Sequence, residues 1–282
     1  HIEGLINDKA SYAFRRATEV ACAGEEFRRY EYGSVEELAK LDGRRLADHW
    51  RALHETTPVD IYLSGAIDPG RSLDALDSLL GSRGTTTALR PLPELREAPT
   101  EPREIREELD VHQANLVLVY RTKTRYAAPT AAALIVANGI LGAFPHSKLF
   151  QIVREKHSLA YSIWSYADRA QGLLFVSAGV PADRVDAARA LIEAQVTDVA
   201  AGRISDLELD STRLSLDNQL SMMEDNPGTL AAVDLAWRQG GSEYRHEDYR
   251  RAVRSVSVDD VMAAMRHVEL DTVYTLCPRS KD

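Results

Sequence analysis

Apolar positions along this chain recur at helical spacing in some stretches and at strand spacing in others. Residues 7–23 place Ala10, Phe14, Ala17, Val20 and Ala21 on one helical face with Gly24 beyond the end, which predicts an amphipathic helix. Ser34, with Val35, Glu36 and Glu37 after it, opens a short helix through Leu38 and Leu41, and Asp42 caps another bearing Leu46, Trp50 and Leu53. Pro58 stops that helix, residues 59–63 read as a strand, and a further helix is predicted around 72–80. From 81 to about 103 the chain is rich in Gly, Thr and Pro and reads as a linker between domains.

Beyond the linker, 114–122 is a strand, and 129–141, dominated by Ala, Leu, Ile and Val, is a buried helix. A turn at 168–172 leads into 173–180 and makes an antiparallel hairpin with the strand before it. Asp183 opens a helix with Val185, Ala188, Leu191, Ile192 and Val199 inside, closed by Gly202. Ser205 and Glu208 form a capping box for a long helix, broken by Asn226, Pro227 and Gly228, and another runs to Gln239. Met222 and Met223 read as core. The end, with a short helix at 249–253, a cap at Ser257, Val261, Met265 and a strand at 272–276, repeats the order seen near Leu38, Asp42, Leu46, Trp50 and 59–63. Asp42 and Ser257 stand 215 positions apart, as do Leu38 and Val253, Leu46 and Val261, and Trp50 and Met265.

The chain is organised around NGILGAFPHSKLFQIVREKHSLAY, residues 138–161. Gly139, Gly142 and Pro145 break the preceding segment, and Ser147 is the expected helix cap, its hydroxyl accepting from a backbone N–H. Leu149, Phe150, Ile152 and Val153 form an apolar stripe before Arg154. From Leu159 the period changes to two, so a helix hands over to a strand with Arg154 just before the junction and Tyr161 just after it. A guanidinium and a phenol placed there can converge on one ligand, as a fixed cation and a donor.

The run LGAFPHSKLFQIVREKHSLAYSI resembles the second domain of the insulinase/pitrilysin family of zinc metallopeptidases, with its LGG-type turn, S-[RK]-L-[FY], and R-E followed by A-Y or G-Y. The resemblance implies that Arg154 and Tyr161, seven positions apart, are the catalytic pair that reaches into the active site of the other domain and holds the substrate carbonyl. It also implies an α+β fold: an antiparallel sheet with helices packed on one face, in tandem duplicated domains of which the first is incomplete. Residues 1–100 would then be the C-terminal part of the first domain plus linker, and 104–282 the second.

That family holds zinc with an inverted H-x-x-E-H motif. None of the eight histidines (His1, His49, His54, His112, His146, His157, His246 and His267) lies in that spacing. His49 and His54 are five positions, or roughly 500° of helix, apart and do not share a face cleanly. His157 reads as a helix-end residue and His146 as a local one. No metal or other cofactor is therefore expected in this chain, and zinc is expected in the complete enzyme or a partner.

Composition adds exclusions. The chain has 282 residues, 44% hydrophobic and 27% charged, as ordinary globular proteins do. A net charge of −9 argues against a nucleic-acid partner, and the pairs Arg15/Arg16, Arg28/Arg29 and Arg250/Arg251 read as solvated helix faces. Cys22 and Cys277 form no disulfide framework and read as small buried apolar residues in a reducing compartment. No run reaches the roughly 18 apolar residues of a membrane span, no signal peptide is read, and a cytoplasmic location is the expectation. His1 to Gly4 look like the remainder of a tag or a cut.

The function expected is the peptide-gripping part of a zinc metalloendopeptidase, which binds an extended peptide and stabilises the scissile carbonyl while zinc comes from a missing N-terminal region or partner subunit. The partners are then a peptide or unfolded polypeptide and a zinc-bearing homologous half or subunit, in a dimer. The alternative is a catalytically inactive peptidase-homologue subunit serving assembly or binding only.

Overall fold

The structure, a computed structural model, describes residues 2–81 and 92–279. Up to residue 81 it is helical: α1 (Lys9–Ala21), α2 (Val35–Leu38), α3 (Gly43–Thr56) and α4 (Pro69–Leu80). Then come β1 (Arg103–Leu109), β2 (Ala114–Arg121) and α5 (Ala131–Asn138), followed by two π-helical segments, Gly139–Ala143 and Leu149–Lys156. The hairpin β3 (Ser162–Asp168) and β4 (Leu173–Val180) follows, then α6 (Val185–Ala200), α7 (Asp206–Glu224), α8 (Pro227–Gln239), α9 (His246–Ser255), α10 (Val258–Met265) and β5 (Glu269–Pro278). Side chains of Ser34, Asp42, Ser205 and Ser257 cap the helices read at those positions, three of them as full capping boxes.

The strands form one sheet in the order β1-β5-β2-β4-β3, antiparallel except for the parallel pair β1/β5. One face carries Leu116, Leu118, Val176 and Ala178 against α5, the π-helical segments, α6, α7, α9 and α10. The opposite face is covered too: Val117, Val119, Phe175, Tyr274 and Leu276 pack on Ala13, Ala17 and Ala21 of α1. Covered on both sides, β2 and β4 are buried at every position and show no alternation, whereas edge strand β3 keeps one face open.

α1 is fastened at its C-terminal end by two arginines. Arg121, 3% exposed, donates from Nη2 to the Ala21 carbonyl at 2.6 Å and from Nε to Asp271 at 3.0 Å, and its Nη2 also meets Glu25 at 2.6 Å. Arg103 donates to the same carbonyl at 3.0 Å and to Asp271 at 2.7 Å. Cations thus satisfy the orphan carbonyl end of the helix, and their charges are balanced within the cluster.

The structure corrects several sequence expectations. Residues 59–63 have no partner strand among the described residues; Asp60 instead pairs with Arg238 of α8 at 2.9 Å and the Tyr62 hydroxyl donates to Asp234 at 2.7 Å. The inward stripe of α1 is Ala13, Ala17 and Ala21, with Ala10 exposed. Met222 is 74% exposed, because the inward positions of α7 are Leu209, Thr212, Leu216 and Leu220. Arg250 is not a solvated charge but joins Asp217 at 2.9 Å and Ser221 at 2.6 Å between α9 and α7. Within the expected linker, 82–91 lie outside the described residues, and 92–100 hold no helix or strand. Both cysteines are buried, and burial pushes the Cys22 thiol up to about 12.

Candidate functional site: the junction of the second π-helical segment and β3

The glycines that break the segment after α5 do so by allowing close approach. A Cβ on Gly142 would lie 2.7 Å from Leu149 and 2.7 Å from the Ser165 hydroxyl, so only glycine lets the first π-helical segment, the second and β3 come together here. Ser165, buried on β3, donates from its hydroxyl to Asn138 Oδ1 at 2.7 Å and ties the strand to the end of α5.

Ser147 does not act as the expected side-chain cap. Its carbonyl accepts from the Gln151 N–H at 2.9 Å, but its hydroxyl is buried without a partner among the described residues, because Lys148 has already turned helical (φ −58°, ψ −44°). The Lys148 ammonium, itself buried, pairs with Glu208 at 2.8 Å. Although burial alone would raise the Glu208 carboxyl, hydrogen bonds from Lys148 and the Ser205 cap hold it below its usual value.

The second π-helical segment ends with the His157 N–H donating to the Ile152 carbonyl, five residues back, at 3.1 Å. Ser158 then enters the left-handed region at φ 51°, and Tyr161 joins the sheet by donating its N–H to the Gly179 carbonyl at 2.8 Å. The chain therefore reverses between Arg154 and Tyr161 through one strained serine.

Both expected site residues are at the surface of this junction and outside the core. The Arg154 guanidinium stacks 4.5 Å above the Phe150 ring, with Nε 3.6 Å from Glu155, an exposed pair that holds it loosely. Tyr161 is 64% exposed, and its hydroxyl has no partner among the described residues. Among the described residues the two side chains form no hydrogen bond with each other. His157 is exposed at the helix end, as expected there. His146 meets the Thr212 hydroxyl at 3.0 Å and stacks on Phe144, and burial pulls its pKa below the ordinary value while the charge of Glu208 works the other way.

Sequence reasoning missed what surrounds the junction. Strand β3 is a sheet edge, and Tyr161, Trp164 and Tyr166 are exposed along it. Beside it runs a groove of about 940 Å³ walled by Phe14, Arg15, Tyr30, Tyr32 and Trp164, with Phe14 packed on both Trp164 (5.5 Å) and Phe175 (4.6 Å). Phe14 was legible as a helix-face residue; that it meets a strand some 150 positions away was not.

Among the described residues, the one cluster of three metal-type ligands is Glu224, His246 and Glu247. It offers a single imidazole, and the Arg250 guanidinium lies 3.2 Å from Glu224 and 3.7 Å from Glu247, so the carboxylates already have their counter-charge. That donor set does not fit a hydrolytic zinc held by two histidines and a carboxylate.

Comparison with known proteins agrees with the fold and motif. The model of the peptidase M16 inactive domain matches residues 45–216, more than half of the chain. The chain is 27% identical over 275 residues to the probable inactive metalloprotease YmfF of Bacillus subtilis, covering 98% of this chain and 64% of that protein. It is also 27% identical over 255 residues to an uncharacterized zinc protease of Streptomyces coelicolor, covering 84% of this chain and 53% of that one. A conserved protein from Enterococcus faecalis superposes over 100% of this chain and 66% of its own with a TM-score of 0.91 at 25% identity, and a peptidase M16 inactive domain from Pseudomonas fluorescens shares the fold with a TM-score of 0.78. The chain thus spans under two thirds of the length of the Bacillus and Streptomyces relatives. No helix among the described residues is long and apolar enough to cross a membrane. An α+β fold shared with these structures, and a family model that matches residues 45–216, more than half of the chain, make this chain a member of the peptidase M16 family, with that stretch matching its inactive domain.

Proposed function

We propose that the chain grips an extended peptide along edge strand β3 and presents Arg154 and Tyr161 to a peptide carbonyl, within an assembly in which a homologous half or subunit holds the zinc. The observation that carries this reading is the open edge of β3, which starts directly after Tyr161 and borders the aromatic groove through Trp164. An extended peptide adds a strand to such an edge through main-chain hydrogen bonds, and side-chain pockets beside it set preference. A guanidinium and a phenol with unengaged donors then stabilise negative charge growing on the carbonyl oxygen. Arg154→Ala and Tyr161→Phe should each lower peptide hydrolysis by about tenfold or more when the zinc-bearing partner is supplied. Unchanged rates in both variants would refute the role.

The family description and the relative named a probable inactive metalloprotease favour a second reading, a homologue that serves binding or assembly without catalysis. Titrating the purified partner assembly with an unstructured peptide separates the two. Binding without hydrolysis, lost on substitution along β3, supports this second reading.

The first unit also enters as a proposal. Leu46, Trp50 and Leu53 of α3 are 58%, 68% and 41% exposed, while Val261 and Met265, counterparts of Leu46 and Trp50 in the repeat, are buried. An apolar helix face of that kind fits the sheet of a homologous half, in the same chain or a partner.

A further inference from the structure

Arg169, in the turn between β3 and β4, is held by rings rather than by acids. Its guanidinium carbon lies 4.4 Å from the centroid of Tyr126, 5.2 Å from Trp237 and 5.3 Å from Tyr249. Among the described residues it forms no ion pair, and its hydrogen bond goes to a neutral phenol, Nη1 to the Tyr249 hydroxyl at 3.0 Å. The adjacent carboxylate is committed elsewhere: Asp168 Oδ1 accepts from the Ala170 and Gln171 N–H groups at 2.9 and 3.1 Å. A guanidinium carries five N–H donors, so most of this one's capacity is unspent beside these rings.

The setting is built rather than incidental. Gly240 admits the Tyr126 ring, since a Cβ there would fall 2.6 Å from it. Trp237, 9% exposed, stands edge-on to Tyr249 at 5.0 Å, and its indole N–H has no acceptor among the described residues. Arg169, Tyr126 and Trp237 share the wall of a cavity of about 450 Å³ with Ala232, Val233 and Ala236 of α8. That volume is within the range that accepts a ligand of amino-acid size or somewhat larger.

We propose that this cavity binds a carboxylate carrying a short apolar body, with Arg169 engaging the carboxylate and the alanine–valine wall of α8 taking the apolar part. The pairing follows from the lining: a guanidinium with no ion pair among the described residues binds carboxylates through two parallel hydrogen bonds, the surrounding rings lower the local dielectric, and the one neighbouring acid that feels its charge, Asp168, spends Oδ1 on backbone N–H groups. The free C-terminus of a peptide and a small carboxylic acid share this chemistry. The site is separate from the Arg154/Tyr161 junction and does not depend on its role.

The test is calorimetric titration of the 282-residue chain with N-acetyl-leucine, its uncharged amide, 4-methylpentanoate and a tetrapeptide ending in leucine. N-acetyl-leucine should bind at least about tenfold more tightly than the amide, and Arg169→Gln should remove that difference. Ala232→Trp, at an exposed position of α8, should abolish binding by filling the cavity while leaving the melting temperature unchanged, which guards against a misfolded Arg169 variant. Tighter binding of the tetrapeptide than of 4-methylpentanoate assigns the peptide source, and the reverse order assigns the free acid. Equal affinity for acid and amide, binding that survives Ala232→Trp, or no saturation by any probe up to about 10 mM would each overturn the proposal.

Discussion

At Ser158 the backbone turns left-handed (φ 51°) to carry the chain from Arg154 to Tyr161. A non-glycine residue there costs about 1–2 kcal/mol, strain that the closed hydrogen bonds on either side of the turn sustain. Ser158→Gly is expected to preserve or raise the urea midpoint, and Ser158→Val to lower stability by about 1–2 kcal/mol. A stabilising valine would mean the junction differs from this geometry. Nearby, burial holds the His146 ring below its ordinary pKa of 6.5, so the folded state binds its proton less readily than the unfolded chain. Its contribution is therefore present above pH 6.5 and is lost as the pH falls from there through the lower folded-state pKa. The melting temperature of His146→Gln should fall less than that of the parent between about pH 7.5 and 5.5. Equal slopes would exclude His146 as the titrating group. Glu208, held low by Lys148 and Ser205 against the effect of burial, titrates below this window.

Among elements, α1 shows how a helix from one end of the sequence becomes part of a distant sheet. Its alanine stripe lets it lie close to β2 and β5, and Arg121, Arg103 and Asp271 secure its end. Removing one member leaves buried charge uncompensated, so Arg121→Met should destabilise the fold by about 3 kcal/mol or more. Faster hydrogen exchange in α1 than in α5 of that variant would show the helix detaching. Retention of full stability would refute the clamp. The caps at Ser34, Asp42, Ser205 and Ser257 were legible because capping chemistry is complete within four residues of sequence. Ser147 defeated the same reasoning because π-helical geometry and the pairing of Lys148 with Glu208 place its hydroxyl in the interior. β1 was illegible: REIREEL carries no apolar alternation, and its strand form depends on parallel pairing with β5, at the far end of the chain.

For the whole molecule, the residues that stand 215 positions apart have opposite fates: Val253, Val261 and Met265 are interior, while Leu38, Leu46 and Trp50 are exposed. If a homologous zinc-bearing half covers the latter face, Trp50→Lys should weaken that association by at least about tenfold, since buried tryptophans dominate such contacts. Circular dichroism of the isolated chain should not change. Association unaffected by Trp50→Lys would remove this face from the interface. The segment at 59–63 belongs to the same question, because its apolar side chains Val59, Ile61 and Leu63 are exposed too.

The sequence by itself determined the capped helix starts at Ser34, Asp42, Ser205 and Ser257, the hairpin and the junction that carries Arg154 and Tyr161, because periodicity, capping and turn chemistry act over a few residues, and the motif at that junction implied the α+β class through its family resemblance. Only the tertiary structure decided that α1 covers the second face of the sheet, that β3 is an edge beside an aromatic groove, and that Arg169 sits among rings with no ion pair among the described residues. Those features join residues tens to more than a hundred positions apart, and no local pattern encodes which distant partner a side chain meets.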